Sequence, residues 1–231
     1  MKQFKSESKK VLDLMINSIY TNKEIFLREL LSNASDAIDK LYFRSLQLGN
    51  TGLSRSDFKI TISIDKENRR LTISDNGIGM NEKDLENNLG TIARSGSQDF
   101  KSQNDLKADD INIIGQFGVG FYSGFMVSDK VEVITKSYGS DQAYKWKSNG
   151  AEGYEIEQST KDSHGTDVVL HLKNDDEYDK YLEEYTLKSL VAKYSNYITY
   201  PIQMLCTKYD YNVPEGEEPV QTQEIQTLNS M

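Results

Sequence analysis

Glu29, Asn33, Asp36 and Lys40 are spaced by four, three and four residues. At ~100° per residue they fall at about 0°, 40°, −20° and 20° on a helical wheel, so on a helix they make one stripe. Leu27, Leu30, Leu31, Ala34, Ala37, Ile38 and Leu41 centre near 140° on the same wheel, which gives the helix one face to bury and a face carrying an acid, an amide, a second acid and a base. Taken alone, the stripe is first read as a solvated face with an Asp36 to Lys40 pair, since amphipathic helices usually have charged outer faces. A second group is Asp75-Asn76-Gly77-Ile78-Gly79-Met80, directly after the alternating run RLTISD. A carboxylate at a strand end, followed by glycines that let a flat ligand approach the backbone, suits recognition of an amino group on a heterocycle such as adenine. A third is Gly115-Gln116-Phe117-Gly118-Val119-Gly120-Phe121. Successive free N–H groups in such a loop can cradle phosphate oxygens, more so where a helix begins; a hinge or a close-packing site is the other reading. No Gly-Lys-Ser or Gly-Lys-Thr follows, so this is not a Walker A loop.

These groups need elements to hold them. Residues 4 to 48 read as helix in two pieces, the first with Val11, Leu12, Met15, Ile16 and Ile19 in a stripe, the second from about Lys23. Residues 59–65 and 70–75 alternate apolar and polar across a short connection, as an antiparallel hairpin with one covered face does. Asn76-Gly77 could be a tight turn, but Asn81 as N-cap with Leu85 and Leu89 four apart makes the order strand, turn, helix. Residues 93–117 lack periodicity and read as a long loop of the kind used as lids. Strands are expected near 130–137, 142–148, 154–158, 166–172 and 200–207, a helix over about 177–198, and a polar tail from Asn212. This is an α+β chain: a two-layer α/β sandwich with a mixed, mostly antiparallel sheet.

The composition narrows the function classes. With 27 Lys and Arg against 36 Asp and Glu the formal charge is −9, opposite to the broad basic surface that nucleic-acid backbones select. A single cysteine, Cys206, excludes an intrachain disulfide and fits a reducing compartment. Lys2, Lys5, Lys9 and Lys10 precede an apolar stretch, yet Asp13 interrupts it and no cleavage-type site follows, so the start reads as mature sequence. No run reaches the ~18 apolar residues that cross a bilayer. The expected setting is cytoplasmic. His164, His171 and Cys206 have no partners at zinc-ligand spacing, Ser123 lies in no G-x-S-x-G elbow, and the 14 tyrosines and Trp146 fall in expected strands as packing residues.

Taken in order, E-x-x-x-N-x-x-D-A at 29–37, D-x-G-x-G at 75–79, the glycine loop at 115–120 and Gly165-Thr166 before a strand resemble the ATPase superfamily of gyrase, heat-shock protein 90, histidine kinases and MutL. Within it, NKEIFLRELLSNASDAIDKL at 22–41, LTISDNGIGM at 71–80, LGTIARSG at 89–96 and IGQFGVGFYS at 114–123 resemble the heat-shock protein 90 family. These segments argue against gyrase and MutL. The resemblance covers about residues 4 to 208 and is closer to the bacterial type than to the eukaryotic cytosolic ones.

The resemblance implies a role for each matching position. Asp75 would accept from the adenine amino group, with Gly79 and Thr166 helping through water and Met80 lining the base. Asn33 would complete a Mg²⁺ shell. Glu29 would orient and deprotonate the attacking water. Asp36, Ala37, Lys40 and Leu89 would belong to the nucleotide site, Asn88 would lie near ribose and phosphates, and Gly118, Val119, Gly120 and Phe121 would give backbone contacts. Arg94 stands where the family usually has lysine, a planar fork in place of a point charge. The resemblance further implies ATP and ADP as ligands and a nucleotide domain over 1–208 with a lid at about 88–121. Residues 209–231 would be a linker toward a middle domain. The whole protein would be a homodimeric stress chaperone acting on client proteins without nucleic acid or membrane partners, and the isolated domain a monomeric, weak ATPase. A nucleotide-sensing module without useful turnover is the alternative from another class.

Overall fold

The computed structural model describes residues 10, 13, 14, 22–49, 52–92, 118–150, 152–210 and 219–230. The stripe expected at 11–19 and the loop at 93–117, with Arg94 and Gly115 to Phe117, lie outside them.

The second expected helix is α1, Ile25–Leu48, ended by Gly49 in the left-handed region with its N–H on the Ser45 carbonyl at 3.1 Å. Its apolar side, including Leu27, Leu30, Leu31, Ile38 and Leu41, is buried, each such residue contributing ~1.5–3 kcal/mol relative to exposure. The expected hairpin is β1 (Ile60–Asp65) and β2 (Arg70–Asp75), antiparallel with Ile60 opposite Asp75. Helix α2, Glu82–Leu89, starts on Asn81, whose side chain accepts from the Asp84 N–H while the Asp84 carboxylate accepts from the Asn81 N–H. A 3-10 helix at Gly120–Met126 then leads into β3 (Ser128–Lys136), β4 (Ala143–Ser148), β5 (Tyr154–Ser159) and β6 (Gly165–Leu172).

One sheet holds the strands of the described residues in the order β5-β4-β3-β6-β2-β1, continuing through β7 (Ile202–Asp210) to β8 (Val220–Thr227). Among the described residues only β1 and β7 run parallel, so the sheet is mixed and mostly antiparallel, as expected. Ile62, Ile73, Leu170, Val133, Trp146 and Met204 are buried on the face toward α1 and its neighbours. The opposite face carries charge: Glu132 takes Lys130 at 2.8 Å, Lys145 at 3.4 Å and His171 at 2.8 Å.

Two expectations need correction. The helix at 177–198 is three pieces: α3 (Asp176–Asp179), a 3-10 turn at Lys180–Leu182, and α4 (Glu184–Tyr194). Glu183 is extended between them (ψ 127°), which lets Tyr181 and Leu182 bury together with Leu187 of α4. The polar stretch expected from Asn212 contains β8, held to β7 from Gln203↔Thr227 to Asp210↔Val220. Its residues are mostly exposed on both faces; backbone pairing makes it a strand without an apolar period to announce it.

Candidate nucleotide site

Asp75 ends β2, and the five residues after it are fastened on every side. The Asp75 carboxylate accepts from the Gly77 N–H at 2.8 Å. Asn76 spans Lys59 N–H (2.9 Å) and the Asp57 carbonyl (2.6 Å). The Ile78 N–H donates to the Ala37 carbonyl of α1 at 3.0 Å, the Tyr138 N–H to the Ile78 carbonyl at 2.8 Å, and the Met80 N–H to Thr135 Oγ1 at 2.9 Å. His164 Nδ1 lies 2.9 Å from the Gly77 carbonyl.

The glycines serve this docking. A Cβ on Gly77 would sit 2.5 Å from the Ala37 carbonyl carbon, and one on Gly79, whose φ is +65°, would sit 1.9 Å from the Lys136 carbonyl oxygen. Ligand approach is the reason expected for them from the sequence; the contacts show close packing of the loop on α1 and the end of β3.

Across the sheet, Asp75 lies opposite Thr166 on β6, and Thr166 lies opposite Thr135 on β3. Directly opposed residues share a face, so the three form a polar row inside an otherwise apolar layer. Burial pushes the Asp75 carboxyl up to about 7, against the backbone N–H groups of Gly77 and Thr166; the charge of Asp167 adds to the rise and that of Lys161 opposes it. Lys161 is itself bonded to Asp167 at 2.6 Å. Asp75 keeps some solvent exposure. Thr135, fully buried, escaped sequence reading because a threonine in VEVIT is ordinary for a strand.

The α1 stripe is not a solvated face. Asp36 is only 2% exposed, Glu29 has a side chain 20% exposed, and Asn33, Ala37 and Lys40 are half-buried. Helix α1 packs against the 3-10 helix at Gly120–Met126 as well as against β2. A Cβ on Gly120 would meet Glu29 Oε2 at 2.3 Å, so the glycine loop runs against this carboxylate. Its other oxygen, Oε1, accepts from Arg28 Nη2 at 2.5 Å and Nε at 3.2 Å. Gly118 is left-handed (φ +64°), and a 3-10 helix starts at Gly120, where a helix start was the feature that would favour phosphates. Leu89, buried at the end of α2, accepts from the Tyr122 hydroxyl at 2.9 Å through its carbonyl, and Asn88 beside it is half-buried. Phe121 is buried edge-on against Trp146, centroids 5.4 Å apart.

The structure thus links Met80 to Thr166 through Thr135 and Thr166 to Asp75 through the β2–β6 register, packs Gly79 on Lys136, and brings Ala37 to the loop at Ile78 and Glu29 to Gly120. Arg94 lies outside the described residues. Among the described residues no three His, Cys, Asp or Glu side chains gather as a metal cage.

Residues 20–178 match the model of the histidine kinase-, DNA gyrase B-, and HSP90-like ATPases. The chain is 58% identical over 234 residues to the chaperone protein HtpG of Clostridium acetobutylicum, 57% over 235 to that of Clostridium perfringens (strain 13 / Type A) and 56% over 233 to that of Clostridium botulinum (strain Langeland). Each match covers 100% of this chain and 37% of the relative. With the polar row of Asp75, Thr166 and Thr135 set beside a carboxylate-bearing helix and a glycine loop, the chain belongs to the histidine kinase-, DNA gyrase B-, and HSP90-like ATPase family.

Proposed function

We propose that residues 1–208 form an adenine-nucleotide domain that binds ADP and ATP and hydrolyses ATP slowly. The observation that carries this reading is Asp75, a carboxylate held at a strand end with Thr166 beside it. Its acceptor oxygens suit an exocyclic amino group. Asn33, one helical turn beyond Glu29, is the residue to hold Mg²⁺, and a single amide fits an ion whose other ligands are water and substrate phosphate. When bound, that ion offsets phosphate charge. Glu29 takes the proton of the attacking water, and Asp36, Ala37, Lys40, Met80, Asn88, Leu89, Arg94 and residues 118–121 complete the site.

On the scale of the relatives, the whole protein acts as a cytoplasmic homodimeric chaperone. ATP closes a lid over about 88–121 and brings two such domains together around client folding. Among the described residues no helix is long and apolar enough to cross a membrane.

The test is calorimetry of ADP with Asp75→Asn. A charge-assisted hydrogen bond is worth ~1.5–3 kcal/mol, so affinity should fall about ten- to a hundredfold or more with the fold intact. Unchanged affinity in a folded variant would remove the adenine assignment. A second reading, binding and switching without useful turnover, is favoured by the Arg28 guanidinium on Glu29, which occupies one oxygen of the carboxylate that would meet the attacking water. Hydrolysis of ATP by a full-length protein, lost in its Glu29→Ala variant, decides for the enzyme.

A further inference from the structure

Thr135 Oγ1 has three polar neighbours: the Met80 N–H at 2.9 Å, the Gly165 carbonyl at 3.1 Å and Thr166 Oγ1 at 3.0 Å. A hydroxyl owns one hydrogen and two lone pairs. The amide can only donate and the carbonyl can only accept, so a single arrangement places a hydrogen in all three contacts. Thr135 donates to Gly165, accepts from Met80, and accepts from Thr166. The reverse arrangement, with Thr135 donating to Thr166, leaves two oxygens facing each other at 3.1 Å with nothing between them. Thr135 is 0% exposed and Thr166 6%, so no bulk water relieves that contact, and a buried unmade bond is costly.

The consequence falls on Thr166. Its hydrogen is committed to Thr135, and its remaining capacity is lone pairs alone. Beside it on the same face of the sheet is Asp75, whose carboxylate also accepts. We propose that Thr135 is a specificity-determining positioning residue: by fixing Thr166 as an acceptor, it makes this wall select a 6-amino purine and reject a 6-oxo one. The inference rests on the adenine-nucleotide reading and deepens it. With the Asp75 carboxyl ionised, above about pH 7, a 6-oxo group would meet acceptors only, whereas an amino group brings two N–H donors, used directly or through water.

The experiment, run well above pH 7 so that Asp75 is ionised, compares ADP with inosine diphosphate, which carries an oxo group where ADP has the amino group, by calorimetry on the wild-type chain, Thr135→Val and Thr135→Ser. Valine keeps the shape and removes the hydroxyl, freeing the Thr166 hydrogen to turn toward the ligand. The preference for ADP should fall about tenfold, the size of one hydrogen bond, while Thr135→Ser keeps the parental ratio. The readout is a ratio because valine also strands the Met80 N–H and the Gly165 carbonyl, which lowers the melting temperature without touching selectivity. A folded Thr135→Val with the wild-type ratio, or a wild-type chain that binds both nucleotides equally, overturns the assignment and leaves ADP binding intact. A wild-type chain that binds neither overturns the nucleotide reading and this inference with it. Should Thr135→Val not fold, neutron diffraction of the wild-type chain reads the same point. Deuterium from Thr166 between the two Oγ1 atoms supports the assignment, and deuterium turned toward Asp75 overturns it.

Discussion

Asp75 is placed where binding and stability pull in opposite directions. Its carboxyl titrates near ~3.9 in an unfolded chain but is pushed up to about 7 in the fold by burial. Between those values the folded chain keeps a proton that the unfolded chain has lost, so this residue's contribution to stability falls as pH rises from about 4 to 7 and is level above. Asp75→Asn lacks that loss. Urea unfolding should show the variant gaining on the wild type across this window, by on the order of 2–4 kcal/mol at pH 8; a difference that stays flat with pH would mean an ordinary carboxyl. The ligand sees the reverse, since an amino group prefers the ionised form, and ADP affinity should climb as pH passes through about 7. Glu29 and Asn33, both on α1, separate differently. Glu29→Ala should bind ADP nearly as before and lose hydrolysis, whereas Asn33→Ala should lose Mg²⁺-dependent affinity as well. Calorimetry with and without Mg²⁺ on both variants checks the split, and equal affinity losses would collapse it.

The elements that hold these residues were legible to different depths. Helix α1, the β1–β2 hairpin and the Asn81 cap carry strong local signals, a 3.6-residue apolar period, a two-residue alternation and an N-cap asparagine ahead of leucines four apart, and each forms as its pattern dictates. That the α1 stripe faces the protein was not legible, because a wheel ranks one face against another and does not say what covers the polar one. Strand β8 was hidden for the opposite reason, being polar on both faces and made by pairing alone. The Thr135 hydroxyl row needed the register of three strands, which no local pattern supplies. Glycine offers the sharpest test at this scale. Gly139, at φ +79°, has open space where a Cβ would go, while Gly79, at φ +65°, has the Lys136 carbonyl oxygen 1.9 Å away. Gly139→Ala should cost ~1–2 kcal/mol for the left-handed backbone, and Gly79→Ala that amount plus ~1–3 for overpacking. Only the second should weaken ADP binding, because only it moves the loop that hangs on Thr135. Equal costs in urea unfolding, or equal ADP affinities, would mean that the loop is not fastened as described.

For the molecule as a whole, the chain spans 37% of the length of the curated HtpG relatives it matches, so catalysis has to be weighed against what the rest of such a protein would add. The cations within these residues are unevenly suited to transition-state charge. Arg28 is engaged with Glu29, Lys40 is half-buried in the α1 stripe, and Arg94 lies outside the described residues. The family resemblance puts the phosphate-binding arginine in a following middle domain and the clamp on the lid in a second copy. In other phosphoryl-transfer systems an arginine from another domain or protein is worth about 10³ to 10⁵ in rate, and it acts on the transition state more than on binding. Residues 1–231 should therefore bind ADP and ATP as tightly as a protein of the relatives' full length, yet hydrolyse ATP far more slowly. A lid of the kind the resemblance implies would, if unclamped, add to the deficit by admitting water and leaving the phosphates loosely held. Single-turnover hydrolysis at saturating ATP, run side by side on both lengths, is the measurement. Equal rates would mean that Glu29, the α1 stripe and the glycine loop are the whole catalytic apparatus, with nothing contributed by another domain or a second copy.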